Sequence, residues 1–309
     1  LVTGQSLALG ALGVPALTVR QPYLNLMYEQ GRLVPLIENY ANPAVSQKAT
    51  ETVNSALANT ISFLAGSTSP QFIISRSATN GAEMSKIKKN GNLSTYAEGL
   101  AEIRAIRDVL AKNKEQHKVA AIVLIHGETD HTLIQSGATN TYADDIRRLR
   151  ANYDMDLRRM TGQSEKIPIF IDQMMSFTGY GQATSSIPLA QYAASLNDSN
   201  VYLVTPKYIF DYYPAGSQAH LVNISYRWLG EYYGKVIKQV VLDDRRWTPL
   251  SPRQILRTDR LVALDLNVPV IPIVFDTTEV LAAPNYGFEY YDGEKNIPIS
   301  KVEIKDRDT

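Results

Sequence analysis

Val119–His126 reads Val-Ala-Ala-Ile-Val-Leu-Ile-His, an apolar run that ends in a histidine. A strand that is apolar at every position has both of its faces covered, which is typical of a parallel sheet packed between helices. The run therefore predicts a central strand of an α/β domain.

Amphipathic segments lie on either side of this strand. Leu93–Lys114 precedes it, and Tyr142–Met160 follows it with apolar residues at three- and four-residue spacing. That spacing places the apolar side chains on one side of a helix and the charged ones on the other. Each segment predicts a helix that covers the sheet.

The same alternation of apolar runs and amphipathic segments extends from the first residue to about residue 242. Five strand-helix units in succession predict a doubly wound α/β fold, with a five-stranded parallel sheet between helices. The remaining predicted strands are Leu1–Thr3, Gln71–Ser75, Ile167–Gln173 and Val201–Thr205, and the remaining predicted helices are Val45–Leu64, Pro188–Asn197 and Ile224–Val241.

The pattern changes near Trp247, where β-rich runs with turn residues between them replace the helical period. We predict two domains, 1–245 with the α/β fold and 246–309 as a small β-rich accessory domain. Because the chain starts within a predicted strand and stops without a clear end, we expect it to be a piece of a longer protein, with the second domain incomplete. The β-rich runs are Leu261–Leu266, Val270–Phe275, Gly287–Tyr291 and Ile297–Ile304.

Composition excludes several classes of function. Lys and Arg together number 31, as do Asp and Glu, so the net charge is near zero and argues against binding to nucleic acid or an anionic membrane. The absence of cysteine excludes disulfides, thiolate metal sites and a cysteine nucleophile. No apolar run reaches the roughly 18–20 residues that a membrane span needs. No nucleotide-binding fingerprint is present, so we expect no organic cofactor.

Two candidate catalytic residues follow predicted strands, at the sheet edge where active sites of doubly wound folds lie. Gly4-Gln5-Ser6 comes directly after the first strand, and a tight glycine-containing turn there exposes a serine hydroxyl. His220 follows the fifth strand and precedes the last helix. Taken alone, each is also compatible with a purely structural role.

Two further loops end at the same predicted edge. Ser77–Gly81 follows the second strand, and a glycine there can bring a backbone N–H close to a reacting oxygen. His126–His131 follows the third strand and includes Glu128 and Asp130. This second loop is also compatible with a plain turn, or with a metal site, although its two histidines lack the spacing of helical metal ligands.

In their order along the chain, these motifs resemble those of the SGNH hydrolases, in particular the carbohydrate-esterase branch with sialate O-acetylesterase and acetylxylan esterase. Gly4-Gln5-Ser6 matches the Gly-Gln-Ser of that branch, and residues 126–130 are similar to its Gln-Gly-Glu-Ser-Asp. His220-Leu221 is similar to the end of its Asp-x-x-His-Leu. The resemblance covers about residues 1–242 and implies an SGNH/flavodoxin-like arrangement of the α/β fold.

The resemblance implies a role for each of these residues. Ser6 would be the nucleophile and His220 the general base. The backbone N–H groups of Ser6 and Gly81 would form the oxyanion hole, with His126 as a third donor. The two acidic residues, Glu128 and Asp130, would support the loop. An acyl-serine intermediate needs neither a metal nor an organic cofactor.

Two positions depart from the family pattern. Ser217 stands where the family has the aspartate of its catalytic triad. The third member is therefore missing, replaced by a backbone carbonyl, or supplied by Asp211 on the same loop. His126 stands where relatives have glutamine, and an imidazole N–H can donate to an oxyanion as an amide does.

The resemblance also implies a substrate and a setting. It implies removal of O-acetyl groups from a surface polysaccharide or a sialic-acid-like sugar. A trailing β-domain without cysteine is similar to the deacetylating modules of bacteriophage tailspikes, which implies an extracellular location on a virion tail and a homotrimer. A secreted bacterial esterase is the other expectation.

Two alternatives stay open. The missing aspartate at position 217 is compatible with a carbohydrate-binding module on a degenerate esterase fold. A glycoside hydrolase would use Glu128 with Asp130 or another carboxylate, but acids two residues apart on one loop do not flank a glycosidic bond from opposite sides.

Overall fold

The computed structural model describes residues 1–40, 48–177, 185–213, 219–278, 280, 282–293 and 295–306. The chain divides into two compact units, Leu1–Trp247 and Thr248–Thr309. The strands of the first unit are β1 (Val2–Gly4), β2 (Leu26–Glu29), β3 (Arg32–Pro35), β4 (Ile73–Ile74), β5 (Arg76–Ala78), β6 (Ile122–Ile125), β7 (Ile169–Gln173) and β8 (Val201–Pro206). Its helices are α1 (Val53–Ala65), α2 (Met84–Ile87), α3 (Thr95–Lys112), α4 (Glu128–Gln135), α5 (Tyr142–Thr161), α6 (Ser186–Asn197) and α7 (Asn223–Ile237).

The main sheet has five strands in the order β5-β1-β6-β7-β8. Every neighbouring pair in it is parallel. The predicted fold class, a five-stranded parallel α/β sheet, is confirmed. Within the described ranges, no helix is both long enough and apolar enough to cross a membrane.

The side chains of the central strand alternate between two apolar cores. Ile122 and Leu124 of β6 lie with α3, α5 and α6 in one core. Val123 and Ile125 lie with α1 and α7 in the other. Because helices cover both faces, every position of β6 is buried, which explains the unbroken apolar run in the sequence.

The helices α1 and α7 approach each other closely because two glycines of α7 face α1. A Cβ at Gly230 would lie 2.5 Å from the Val53 carbonyl oxygen. A Cβ at Gly234 would lie 2.7 Å from the Leu57 carbonyl oxygen. These two positions therefore accept no larger residue without a shift of one helix.

The second predicted strand is divided between two sheets. Ile73–Ile74 (β4) pairs with β2 in a three-stranded side sheet of order β3-β2-β4. Arg76–Ala78 (β5) joins the main sheet beside β1. The predicted range Gln71–Ser75 is thus wrong for the main sheet, because the apolar residues lie in the side sheet and the edge strand is mostly polar.

Helix α1 begins at Val53, later than the predicted start at Val45. Thr52 is the N-cap, and its side chain accepts a hydrogen bond from a backbone N–H of the first turn. Residues 48–52 are not helical, since the Glu51 carboxylate there binds the backbone N–H groups of residues 17 and 18 at 2.7 and 2.9 Å. Val45 itself lies outside the described residues.

The described residues of the second unit form two antiparallel pairs of strands. They are β9 (Ser251–Thr258) with β10 (Leu261–Asn267), and β11 (Tyr291–Asp292) with β12 (Lys295–Asn296). The predicted strand Leu261–Leu266 is confirmed. Strand β9 was not predicted because it contains Pro252, which the hairpin accommodates beside a register shift.

The other predicted strands of the second unit are mostly wrong. In the described residues, Val270–Phe275 and Ile297–Ile304 form no strand, and Gly287–Tyr291 contributes only its last residue. Side chains in these segments are largely exposed. The strands were predicted from the apolar composition of these segments, but the segments are not buried in the structure.

Candidate active site

A tight turn at the carboxyl end of β1 carries Ser6. Gly4 has a φ of +137°, and a Cβ at this position would lie 2.1 Å from the Ile125 carbonyl oxygen, so only glycine fits. The Gln5 N–H donates to the same carbonyl oxygen at 3.1 Å. The chain then enters the short 3-10 turn Ser6–Leu9. The neighbouring strand β6 thus fixes the turn that carries the serine.

His220 is far from Ser6 in the sequence but contacts it in the structure. Its Nε2 atom lies 2.7 Å from Ser6 Oγ. The loop after β8 holds the histidine in place, because the Tyr213 N–H donates to the His220 carbonyl at 2.8 Å and Leu221 is fully buried. The structure therefore brings the predicted nucleophile and the predicted base to hydrogen-bond distance.

The surroundings of His220 favour its neutral form. Burial lowers the pKa of the imidazole below its ordinary value, and this is the largest effect. The carboxylate of Glu128 acts against it and raises the pKa, while the ammonium of Lys207 lowers it further. The net pKa is lowered, which favours the neutral ring that can accept a proton.

A set of five buried polar side chains, here called the buried ion network, lies beside the turn. Glu128 accepts a hydrogen bond of 3.0 Å from Gln5 Nε2 through one oxygen and contacts Lys207 Nζ at 2.6 Å through the other. Lys207 Nζ also lies 2.7 Å from Asp172 Oδ2. The Tyr233 hydroxyl donates to the other Asp172 oxygen at 2.7 Å.

The contacts of Glu128 are compatible with the supporting role, which stays a prediction. Glu128 starts helix α4, where a loop was expected. Its side chain is buried and paired with a lysine. A carboxylate in that position is not available to flank a glycosidic bond together with Asp130, so the geometry disfavours the glycoside hydrolase alternative.

Lys207 and Asp172 were not found from the sequence, although each gives a signal. Asp172 interrupts the apolar strand Ile169–Gln173, and Lys207 follows the last strand at the same edge. A charged residue inside a strand that is buried on both faces needs a partner of opposite charge. Burial would lower the pKa of Lys207, but the Asp172 and Glu128 carboxylates outweigh it and raise that pKa.

The predicted role of His126 as an oxyanion donor is wrong. The ring is almost wholly buried, with 1% of the residue exposed. Its Nε2 donates to the Ala82 carbonyl at 2.9 Å, and its Nδ1 lies 2.8 Å from the Tyr142 hydroxyl. With both ring nitrogens engaged, the imidazole has no N–H left for a substrate oxygen.

Asp130 holds the loop that precedes helix α2, which agrees with a supporting role. Its carboxylate accepts the backbone N–H of Met84 at 2.9 Å and lies 3.7 Å from His126 Nδ1. Burial raises the pKa of Asp130, and the nearby His126 and the Met84 N–H oppose this effect. Among the described residues, no group of three or more His, Cys, Asp or Glu side chains could hold a metal ion.

Gly81 lies on the loop that follows β5, at the same edge of the sheet as Ser6. The Thr79 N–H donates to the Gly4 carbonyl at 3.1 Å and ties this loop to the nucleophile turn. Gly81 itself is exposed, with a φ of +62°. The role of the Gly81 backbone N–H as an oxyanion donor, together with the Ser6 N–H, stays a prediction.

The structure does not bring the carboxylate of Asp211 to His220. Asp211 is exposed. In the described part of the chain, its hydrogen bonds are made by the backbone, with the N–H donating to Ser225 Oγ at 3.0 Å and the carbonyl accepting from the Val222 N–H at 3.1 Å. Asp211 as third triad member is therefore unsupported, and Ser217 lies outside the described residues.

Solved structures of similar fold include a protein of Arabidopsis thaliana, with a TM-score of 0.56 and 17% identity over 76% of this chain and 95% of its own. A carbohydrate acetylesterase from Xanthomonas citri has a TM-score of 0.54 and 13% identity over 87% of this chain and 63% of its own. This chain thus spans less than two thirds of the Xanthomonas protein. Neither a protein-family model nor a curated protein sequence matches the chain. The likeness concerns the fold, which this chain shares with a carbohydrate acetylesterase.

Proposed function

We propose that the chain is a serine esterase that removes O-acetyl groups from a carbohydrate through an acyl-serine intermediate. The observation that carries the proposal is the 2.7 Å contact between Ser6 Oγ and His220 Nε2 at the carboxyl edge of the parallel sheet. The shared fold with a carbohydrate acetylesterase supports an acetylated sugar as the substrate class.

In the first half of the reaction, Ser6 Oγ attacks the ester carbonyl while His220 Nε2 takes the hydroxyl proton. The tetrahedral intermediate carries a negative oxygen, and the backbone N–H groups of Ser6 and Gly81 are the donors we assign to it. The intermediate collapses, the bond to the sugar oxygen breaks, and His220 returns the proton to that oxygen. The sugar leaves as an alcohol, and the acetyl group stays on Ser6.

In the second half, water attacks the acetyl-serine carbonyl while His220 takes a proton from the water. Collapse of the second tetrahedral intermediate releases acetate, and His220 reprotonates Ser6 Oγ. Each proton is returned, so the net reaction is hydrolysis of one ester bond.

The finer assignments rest on the motif resemblance. We propose a surface polysaccharide or a sialic-acid-like sugar as the acetylated substrate. The β-rich second unit and the resemblance to tailspike modules support an extracellular setting, on a phage tail or as a secreted enzyme, and a homotrimer.

The proposal is tested by acetate release from acetylated polysaccharide and from 4-nitrophenyl acetate. We expect Ser6→Ala and His220→Ala each to lower kcat/KM by at least about 10³-fold, because nucleophile and base act as a unit. Ser136→Ala, at the exposed end of α4, and His117→Ala, outside the site, are matched controls that should keep full activity.

Two other outcomes would contradict the proposal. A folded, unsubstituted protein that binds an acetylated glycan but releases no acetate from it would identify a carbohydrate-binding module. Equal activity in Ser6→Ala and the unsubstituted protein would place the chemistry on another residue.

A further inference from the structure

Lys207 occupies an unusual position for a lysine, with its side chain fully buried between two carboxylates. Its Nζ lies 2.6 Å from Glu128 Oε1 and 2.7 Å from Asp172 Oδ2. The two carboxylates come from different elements, since Glu128 begins α4 and Asp172 lies within β7. A single ammonium therefore joins the ends of two neighbouring strand-helix units.

The contacts continue from Lys207 to the nucleophile. Glu128 uses its second oxygen to accept the 3.0 Å hydrogen bond from Gln5 Nε2. Gln5 directly precedes Ser6, and its backbone N–H is fixed to β6. At the other end, the Tyr233 hydroxyl anchors Asp172. The buried ion network thus forms one continuous path from α7 to the serine turn.

A buried network of charges is weak evidence for a role in stability. Transfer of three charges from water into a protein interior is costly, and apolar residues of similar volume are often as stabilising as a buried ion pair. Gln5 of this network directly precedes Ser6, so the network lies beside the residues proposed to move a proton.

We propose that Lys207 is a positioning residue that holds Glu128 against Gln5 and so fixes the nucleophile turn, and that the Glu128 carboxylate stabilises the positive charge that His220 carries during the reaction. The second part rests on the proposed esterase function, because it assigns His220 as the base. The first part concerns geometry and stands independently of the substrate.

The charges around His220 agree with this assignment. Among the described residues, Glu128 and Lys207 are charged groups that act on its imidazole, with Glu128 favouring the protonated ring. Asp211, on the same loop as His220, is exposed and makes its hydrogen bonds through the backbone. Because a buried carboxylate acts through a medium of low dielectric, its effect exceeds that of an exposed one.

The test compares two network variants with one control. Glu128→Gln removes the charge but keeps the size and a hydrogen-bonding amide. The double variant Lys207→Met/Asp172→Asn removes the ammonium of Lys207 and the negative charge at position 172 together. No unpaired Asp172 carboxylate is then left buried. Glu38→Gln is the matched control, because Glu38 is an equally buried carboxylate that binds Thr52 and Ser55 instead.

Two readouts are needed, one with turnover and one without. Steady-state kinetics on 4-nitrophenyl acetate separate kcat from KM. Proton NMR follows the titration of His220, whose signal among the four histidines is identified by its loss in His220→Ala. Circular dichroism confirms that each variant is folded.

We expect both network variants to lower kcat by about 10- to 100-fold with KM within about twofold, as misplacement of a reacting group does. In Glu128→Gln we expect the pKa of His220 to fall, because the charge that favours the imidazolium is gone. Glu38→Gln should change neither quantity.

Folded network variants with unchanged kcat and an unchanged His220 titration would overturn the proposal. The titration needs no substrate, so it separates this proposal from the proposed function. If the unsubstituted protein releases no acetate but Glu128→Gln still lowers the pKa of His220, the electrostatic coupling stands and the esterase function fails.

Discussion

In the proposed mechanism His220 must be neutral to accept the proton of Ser6, and its burial favours that form. Because burial lowers the pKa of the imidazole, protonation of the base begins only at a lower pH than for an exposed histidine. We expect kcat/KM on 4-nitrophenyl acetate to fall on the acid side with a midpoint below about 6.5, the ordinary value for histidine.

The measurement is a pH–rate profile of the unsubstituted protein, with Ser136→Ala as a control for general effects of substitution. Activity should be constant from neutral pH down to the pKa of the buried ring and decline only below it. A midpoint at or above about 6.5 would show that His220 is not in the environment described here.

At the residue scale, the sequence predicted the pair but not its surroundings. Ser6 directly follows a strand and His220 lies on the loop between the fifth strand and the last helix, and both could be found because the carboxyl ends of parallel strands meet at one edge. The burial of His126 could not be found, since the sequence does not show that Ala82 and Tyr142 occupy its two nitrogens. Lys207 was missed because its partners lie far away along the chain.

At the scale of elements, the packing of α1 against α7 depends on the small size of Gly230. A Cβ there would lie 2.5 Å from the Val53 carbonyl oxygen and 2.8 Å from the Ala56 Cβ. We expect Gly230→Ala to lower the free energy of unfolding by about 1–3 kcal/mol, as overpacking of a close contact does. Chemical denaturation monitored by circular dichroism measures this change.

Gly99 in α3 provides the matched control. A Cβ at Gly99 would meet its nearest atoms at 3.4 and 3.5 Å, which is ordinary contact. Gly99→Ala should therefore gain about 0.5–1 kcal/mol of stability from reduced backbone freedom in the unfolded chain. The same gain in Gly230→Ala would mean that α1 and α7 are not packed as described.

The elements differ in how well the sequence predicts them. The central strand β6 was located because burial on both faces leaves a clear apolar run. The edge strand Arg76–Ala78 was predicted at the wrong residues, because a polar edge strand has no apolar run. Helix α1 was predicted to begin too early because apolar spacing continues upstream of the Thr52 cap.

At the scale of the whole molecule, the proposed chemistry belongs to the first unit. Both apolar cores and the buried ion network lie within Leu1–Trp247. Among the described residues of the second unit, only Ser251 is buried. A stable α/β core is thus available to hold the site, whereas most apolar side chains of the hairpin β9–β10 are exposed.

The central claim is that Ser6 is activated by His220, whose Nε2 lies 2.7 Å from Ser6 Oγ. Treatment of the intact protein with a fluorophosphonate, followed by digestion and mass spectrometry, tests this claim directly, because such reagents trap activated serines covalently. We expect one label per chain, on Ser6, and labelling of His220→Ala slower by at least about 10²-fold. Labelling of another serine, or equal rates in the two proteins, would contradict the account.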